Sequence, residues 1–259
     1  MRVISVTNQK GGVGKTTTAI NLSATLAALG HTVLIVDLDP QGNASTGLGI
    51  EPSTRENTTY DLLIDGASLA DVAMPTGIKN LSIAPATTDL SSTDVELSQR
   101  DNRVFLLKDA LQQSSEAYDF VLIDCPPSLS LLTVNALVAS DSILVPLQAE
   151  FFALEGLSQL MLTIREVRET ANPALRIEGI VLTMHDARNN LSKQVEEDAR
   201  SNLGNLVFQT MIPRNVRLSE APSFALPVIA YDPASKGSQA YMDLANELLE
   251  RQAPSPETA

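Results

Sequence analysis

Tryptophan is absent from the 259 residues, cysteine occurs once, at Cys125, and aromatic residues make up only 4%. A lone cysteine excludes a disulfide framework and any structural zinc or iron-sulfur site built within one chain. Cys125 therefore reads as a small packing residue. Basic residues are scarce as well: 18 Lys and Arg stand against 31 Asp and Glu, for a net charge of -13. So acidic a body repels nucleic acid unless its few cations are grouped on one face. No apolar run approaches the ~18 to 20 residues of a membrane span, and the N-terminus enters a strand pattern without a signal peptide. The expected location is the cytoplasm. What the chain does have is 44% hydrophobic content. At this length that suffices for a large core in one domain, expected over residues 1–252, with the proline-rich 253–259 as a frayed tail.

Short apolar, β-branched runs recur at Val3 to Thr7, Val33 to Val36, Leu81 to Ala84, Phe120 to Ile123, Ile143 to Leu147, Ile177 to Leu182 and Leu206 to Phe208. Between them, Ala19 to Leu29, Leu131 to Ala139, Leu154 to Val167 and Tyr241 to Leu249 carry apolar residues at three- and four-residue spacing. Strands that alternate with helices in this way predict an α/β fold, a doubly wound and mostly parallel sheet covered on both faces. Ligands of such sheets sit beyond the carboxyl ends of the strands, so the residues that follow each strand are the candidates. Of the two histidines, His31 follows Gly30 at a helix end, where a basic side chain suits the dipole. His185 falls in a loop and is expected to face solvent.

The stretch after the first strand, NQKGGVGKTTT, nearly fits a phosphate loop, G-x-x-x-x-G-K-[ST], except that Gln9 stands where the first glycine belongs and a second lysine, Lys10, follows it. Gly11, Gly12 and Gly14 let successive N–H groups turn inward onto phosphate oxygens at the positive end of a helix starting near Lys15. Lys15 suits the β- and γ-phosphates and the Thr16 hydroxyl suits Mg²⁺. Asp37 and Asp39 in VDLDPQ, two apart on an extended segment, point the same way, fitting one for the Mg²⁺ shell and one for the attacking water. Capping of the next turn is the other reading of that pair. Asp124 ends the run FVLID and fits a carboxylate that holds Mg²⁺ through water.

KGGVGKTTT resembles the deviant phosphate loop of the ParA/MinD group of ATPases. VLIVDLDPQGNAS, DFVLIDCPPS, ALEGLSQL and MIPRNVRLSEAP extend the similarity to the chromosomal ParA, or Soj, branch over nearly the whole chain. The resemblance implies a P-loop NTPase fold, ATP and Mg²⁺ as cofactors, and nucleotide contacts from Lys10, Gly11, Gly12, Val13, Gly14, Lys15, Thr16 and Thr17. It implies a metal set of Thr16, Asp39 and Asp124, and the hydrolytic role for Asp39. Lys10 becomes the signature lysine that crosses to the partner's phosphates in an ATP-sandwich homodimer, where it offsets like charge in a confined interface. Pro213 and Asn215 in IPRN match the segment that reads adenine. Arg188 and Arg217 match positions that contact double-stranded DNA nonspecifically. A ParB-like centromere-binding protein is the implied partner that triggers a slow hydrolysis, with the protein carried on the nucleoid.

Composition alone would not suggest DNA. From His185 to Lys236 six basic residues face six acids, with no basic run. Dimerisation would have to set two such sets side by side. Two other functions share the loop. A MinD-type membrane ATPase ends in a basic amphipathic helix, whereas Asp243 to Ala259 carries four acids and one arginine, so no membrane partner is expected. Among nucleotide-dependent metabolic or redox enzymes, the nitrogenase iron protein would need cysteines that this chain lacks, and no second substrate motif marks any other. An orphan relative that positions another cargo would use the same chemistry with a different partner.

Overall fold

The computed structural model describes residues 1–113, 117–150 and 153–251; the expected tail at 253–259 lies outside them. Seven strands form one sheet: β1 (Arg2–Val6), β2 (Val33–Asp37), β3 (Met74–Pro75), β4 (Leu81–Ala84), β5 (Phe120–Asp124), β6 (Ser142–Gln148) and β7 (Arg176–Thr183), in the order β3-β4-β2-β5-β1-β6-β7. All neighbours run parallel except the two-residue edge strand β3, which pairs antiparallel with β4.

Alternation along each strand divides the core. Ile4, Val6, Ile35 and Leu122 face helix α1 (Lys15–Ala28) and the helix Lys236–Glu250, and pack with Leu22, Leu26, Tyr241 and Leu244. Val3, Leu34, Val36, Val121 and Ile123 face the helices Leu106–Gln112 and Leu131–Ala139. Ile143, Val145, Ile180 and Leu182 face the helix Ala153–Thr170. Burial on both faces explains why the strands read as continuous apolar runs.

Three expectations change. Leu206 to Phe208 is not a strand: a 3-10 turn at Gly204–Leu206 gives way to a single bridge between Val207 and Ile180. The next amides, of Gln209 and Thr210, donate to the Glu247 carboxylate at 2.8 Å each and so leave the sheet. The helix Asn190–Leu203 was not expected, because its buried face is only Ser192, Val195 and Ala199 in an otherwise polar segment. That helix also corrects His185, which is nearly buried and stands 3.2 Å from Glu196 rather than facing solvent. His31 has its own surroundings, edge-on to Phe120 and 3.9 Å from Asp119. Among the described residues no helix is long and apolar enough to cross a membrane.

Candidate functional site

The carboxyl ends of β1, β2, β5 and β7 converge on the loop from Thr7 to Gly14. Gly14 caps α1 at φ 85°, a left-handed value that glycine adopts without strain, and α1 has neither a side-chain cap nor an acid in its first turn. Its leading N–H groups are thus left for an anion. The Val13 carbonyl accepts from the Thr183 hydroxyl at 2.8 Å, which pins the loop to the end of β7.

Two cavities flank this loop. One, of about 410 Å³, is lined by Gly11, Gly12, Gly14, Lys15, Thr16, Thr17, Asp39, Gln41, Asn43, Pro127 and Met184, and it suits phosphates. The second, of about 460 Å³, has Gly14, Thr17 and Met184 in common with the first and continues along Ile212, Pro213, Asn215 and Tyr241, with room for a nucleoside. Pro213 and Asn215 are brought there by the backbone of His185, which donates to the Ile212 carbonyl and accepts from Arg214 N–H, each at 3.0 Å. The Asn215 side chain also caps the helix Val216–Glu220 through Arg217 N–H.

Lys15 is only 7% exposed, with its ammonium 3.0 Å from the Lys10 carbonyl. Burial lowers its pKa, and Asp124, Cys125 and Asp39 oppose that shift. Lys10 lines neither cavity; its ammonium turns to Glu150 at 3.4 Å and its side chain is 39% exposed. Arg188 is 90% exposed and pairs with Asp186, which its hydrogen bonds hold at a pKa of about 2. Arg217 pairs with Glu220 at 2.8 Å and Asp232 at 3.1 Å. Both expected DNA contacts lie outside the two cavities.

The paired aspartates separate. β2 ends at Asp37, whose buried carboxylate accepts from the Ser45 amide and hydroxyl at 2.9 and 2.7 Å; Asp39, past the strand end, lines the phosphate cavity and accepts from Gln41 N–H. The two carboxylates therefore take different partners on either side of the strand end, and both lie close enough to Asp124 to raise its pKa. Asp37 stands in register with Asp124 on β5. Burial raises Asp37 to about 6, and raises Asp124 well above the usual carboxylate range, with Asp37 adding repulsion and the Thr16 hydroxyl and Lys15 ammonium partly offsetting it.

Neither buried oxygen of Asp124 receives a hydrogen bond of normal geometry, a cost that a nearby cation would relieve. Thr16 and Asp124 thus fit Mg²⁺. Among the described residues no three acidic, His or Cys side chains form a ready cage. Mg²⁺ suits such a place, since it takes most of its ligands from phosphate and water.

The raised carboxylates fix the sign of a pH effect. From the ordinary Asp value up to about 6 for Asp37, and over the range in which burial raises Asp124, the folded state holds protons that the unfolded chain has released. Their contribution to stability is complete below pH ~4 and is lost as pH rises. Thermal midpoints of nucleotide-free protein across pH 5 to 7 should show this decline, and Asp124→Asn should flatten it; parallel curves would refute the assignment.

Thr183, Met184 and Tyr241 were missed. Thr183 and Met184 follow the expected strand Ile177 to Leu182, where inspection of strand ends would find them. Met184, in the left-handed region at φ 51°, touches both cavities. Tyr241, 3.2 Å from the Thr18 hydroxyl, carried no signal beyond that of a core aromatic.

A family model described as an AAA domain matches residues 1–177. The chromosome partitioning protein ParA of Caulobacter vibrioides is 55% identical, over 97% of this chain and 95% of that protein. The sporulation initiation inhibitor protein Soj of Bacillus subtilis is 53% identical, over 95% of this chain and 98% of its own length. Among solved structures, cobyrinic acid a,c-diamide synthase from Mycobacterium smegmatis with bound ADP and magnesium superposes with a TM-score of 0.85 at 35% identity, covering 97% and 95% of the two chains. With its phosphate loop, its carboxylates and its full-length similarity in agreement, the chain belongs to the chromosomal ParA, or Soj, branch of the ParA/MinD ATPases.

Proposed function

We propose that this chain is an ATP-driven switch for DNA segregation: ATP with Mg²⁺ closes a homodimer, the dimer binds double-stranded DNA without regard to sequence, and a ParB-like partner triggers hydrolysis and release. The observation that carries the reading is the position of Lys10. Its own cavity is served by Lys15, while Lys10 stands outside that cavity with half-exposed reach. A cation so placed is available to a second copy's phosphates, where two facing nucleotides would otherwise repel. Gly11 to Thr17 hold the phosphates, Pro213 and Asn215 the adenine, and Thr16 and Asp124 the metal, with Asp39 at the edge of that set. Mg²⁺, when bound, neutralises charge on the β- and γ-phosphates.

DNA binding rests on Arg188 and Arg217, each of which must exchange a carboxylate for a phosphate. That exchange makes affinity moderate and salt-sensitive, in keeping with release on hydrolysis and with a nucleoid location. The 55% identity to the Caulobacter vibrioides protein outweighs the 35% to the Mycobacterium smegmatis one, so segregation is preferred over a biosynthetic reaction.

Titration of double-stranded DNA at several salt concentrations, with sedimentation in parallel, tests the cycle for wild type, Lys10→Ala and Arg217→Glu. Wild type should dimerise and bind DNA only with ATP. Lys10→Ala should bind ATP yet remain monomeric. Arg217→Glu should dimerise but lose DNA, with its salt slope reduced by about two for the two contacts a dimer presents. A Lys10→Ala protein that dimerises normally would refute the trans lysine, and DNA affinity retained by Arg217→Glu would move the DNA face elsewhere.

A further inference from the structure

The geometry points to Arg55 as a positioning residue for ATP hydrolysis: its guanidinium clamps the turn behind Asp39 to the carboxyl edge of the sheet. Arg55 follows the short helix α2 (Asn43–Gly47) in an otherwise exposed segment. Its Nη1 donates to the Ala86 carbonyl at 2.8 Å, just beyond the end of β4. On the other side Nη2 donates to the Thr46 hydroxyl and the Ile50 carbonyl, at 2.7 Å each, and Nε reaches the same Ile50 carbonyl at 3.2 Å.

Gly42 lies against the guanidinium. A Cβ there would stand 2.3 Å from Arg55 Nη1 and 2.9 Å from the Ala86 carbonyl, and φ is +60°. Only glycine fits. Gly42 N–H in turn donates to the Asp39 carbonyl at 2.8 Å, closing the turn that presents Asp39. Ser45 ties the same segment inward, to Asp37 and, through its hydroxyl, to Ala86 N–H at 3.1 Å. Arg55 itself is not among the residues lining the phosphate cavity. It acts through Asp39, and so rests on the hydrolytic reading of that residue. A planar fork with donors on two edges serves Ala86 on one side and Thr46 and Ile50 on the other, which a lysine ammonium cannot reproduce. A water-orienting carboxylate is sensitive to such support, because a displacement of about 1 Å can cost up to a hundredfold in rate.

ATP turnover of the full chain with Mg²⁺ and double-stranded DNA, measured as kcat and KM together with the thermal midpoint, tests the clamp. Arg55→Ala should lower kcat about tenfold or more and leave the ATP KM within about twofold. Arg55→Lys should remain impaired. Thr46→Val, which keeps shape and removes a hydroxyl that accepts from Arg55 and donates to the Gly42 carbonyl, should lower kcat by a smaller factor with the thermal midpoint nearly unchanged. Millimolar guanidinium, far below denaturing levels, should restore part of the kcat of Arg55→Ala. Wild-type kcat in Arg55→Ala and Thr46→Val, or a loss shared by kcat and KM with no guanidinium rescue, would reduce Arg55 to a structural role and overturn the proposal. An Asp39→Ala control separates the two readings: turnover surviving there sinks the hydrolytic role of Asp39, whereas an inactive Asp39→Ala beside a normal Arg55→Ala sinks only the clamp.

Discussion

Lys15→Ala should weaken ATP binding by at least about a hundredfold. The ammonium is the only cation among the described residues lining the phosphate cavity, held at 7% exposure between the loop and Asp124. Two charge-assisted hydrogen bonds to phosphate, at about 1.5 kcal/mol or more apiece, account for that factor. The loss is compounded beneath the loop, where Asp124 and Asp37 already repel one another and Lys15 is part of what offsets them. With alanine in place, the backbone amides at the start of α1 remain, so weak phosphate affinity should persist. Calorimetric titration of ATP with Mg²⁺ reads the effect directly. Affinity within a few-fold of wild type would sink the phosphate-loop assignment and everything built on it.

Asp39→Ala should leave ATP and Mg²⁺ binding nearly intact and slow turnover by about a hundredfold to a thousandfold. Asp39 stands at the rim of the phosphate cavity with one carboxylate oxygen tied to Gln41 N–H at 3.0 Å, a fixed orientation suited to placing water. Asp37 cannot substitute, since Ser45 occupies its carboxylate and burial raises its pKa to about 6. With hydrolysis stalled, closed dimers should accumulate on DNA, visible as slow dissociation in the presence of ATP. Undiminished DNA- and partner-stimulated phosphate release would return Asp39 to the turn-capping reading.

Much of the fold is legible because it is built on local signals. Six of the seven expected strands occur within a residue or so of their apolar runs, since a parallel strand buried on both faces needs β-branched residues without interruption. The phosphate loop is equally local: glycine spacing, lysine and threonine all lie within eleven residues. Leu206 to Phe208 shows the opposite case. Its composition suits a strand, but the backbone amides beyond it are claimed by Glu247, some forty residues away. The strand Met74–Pro75 had no signal at all, being two residues with a proline at a sheet edge.

What the sequence by itself determined is the α/β class, the central strand with its loop, and the candidacy of Lys15 and Asp124, because each depends on residue type and on spacing along one segment; Lys10 and Asp39 drew their proposed roles from family resemblance. Tertiary structure alone decided the partnerships. It separated Asp37 from Asp39 by ending β2 between them, set Lys10 on Glu150 outside its own cavity, brought Thr183 against Val13 and Gly14, and closed Arg55 over Gly42 onto Ala86. Those contacts join residues as far as 170 positions apart in the chain. Their geometry is fixed by sheet order and by the burial of whole faces, and no local pattern encodes either.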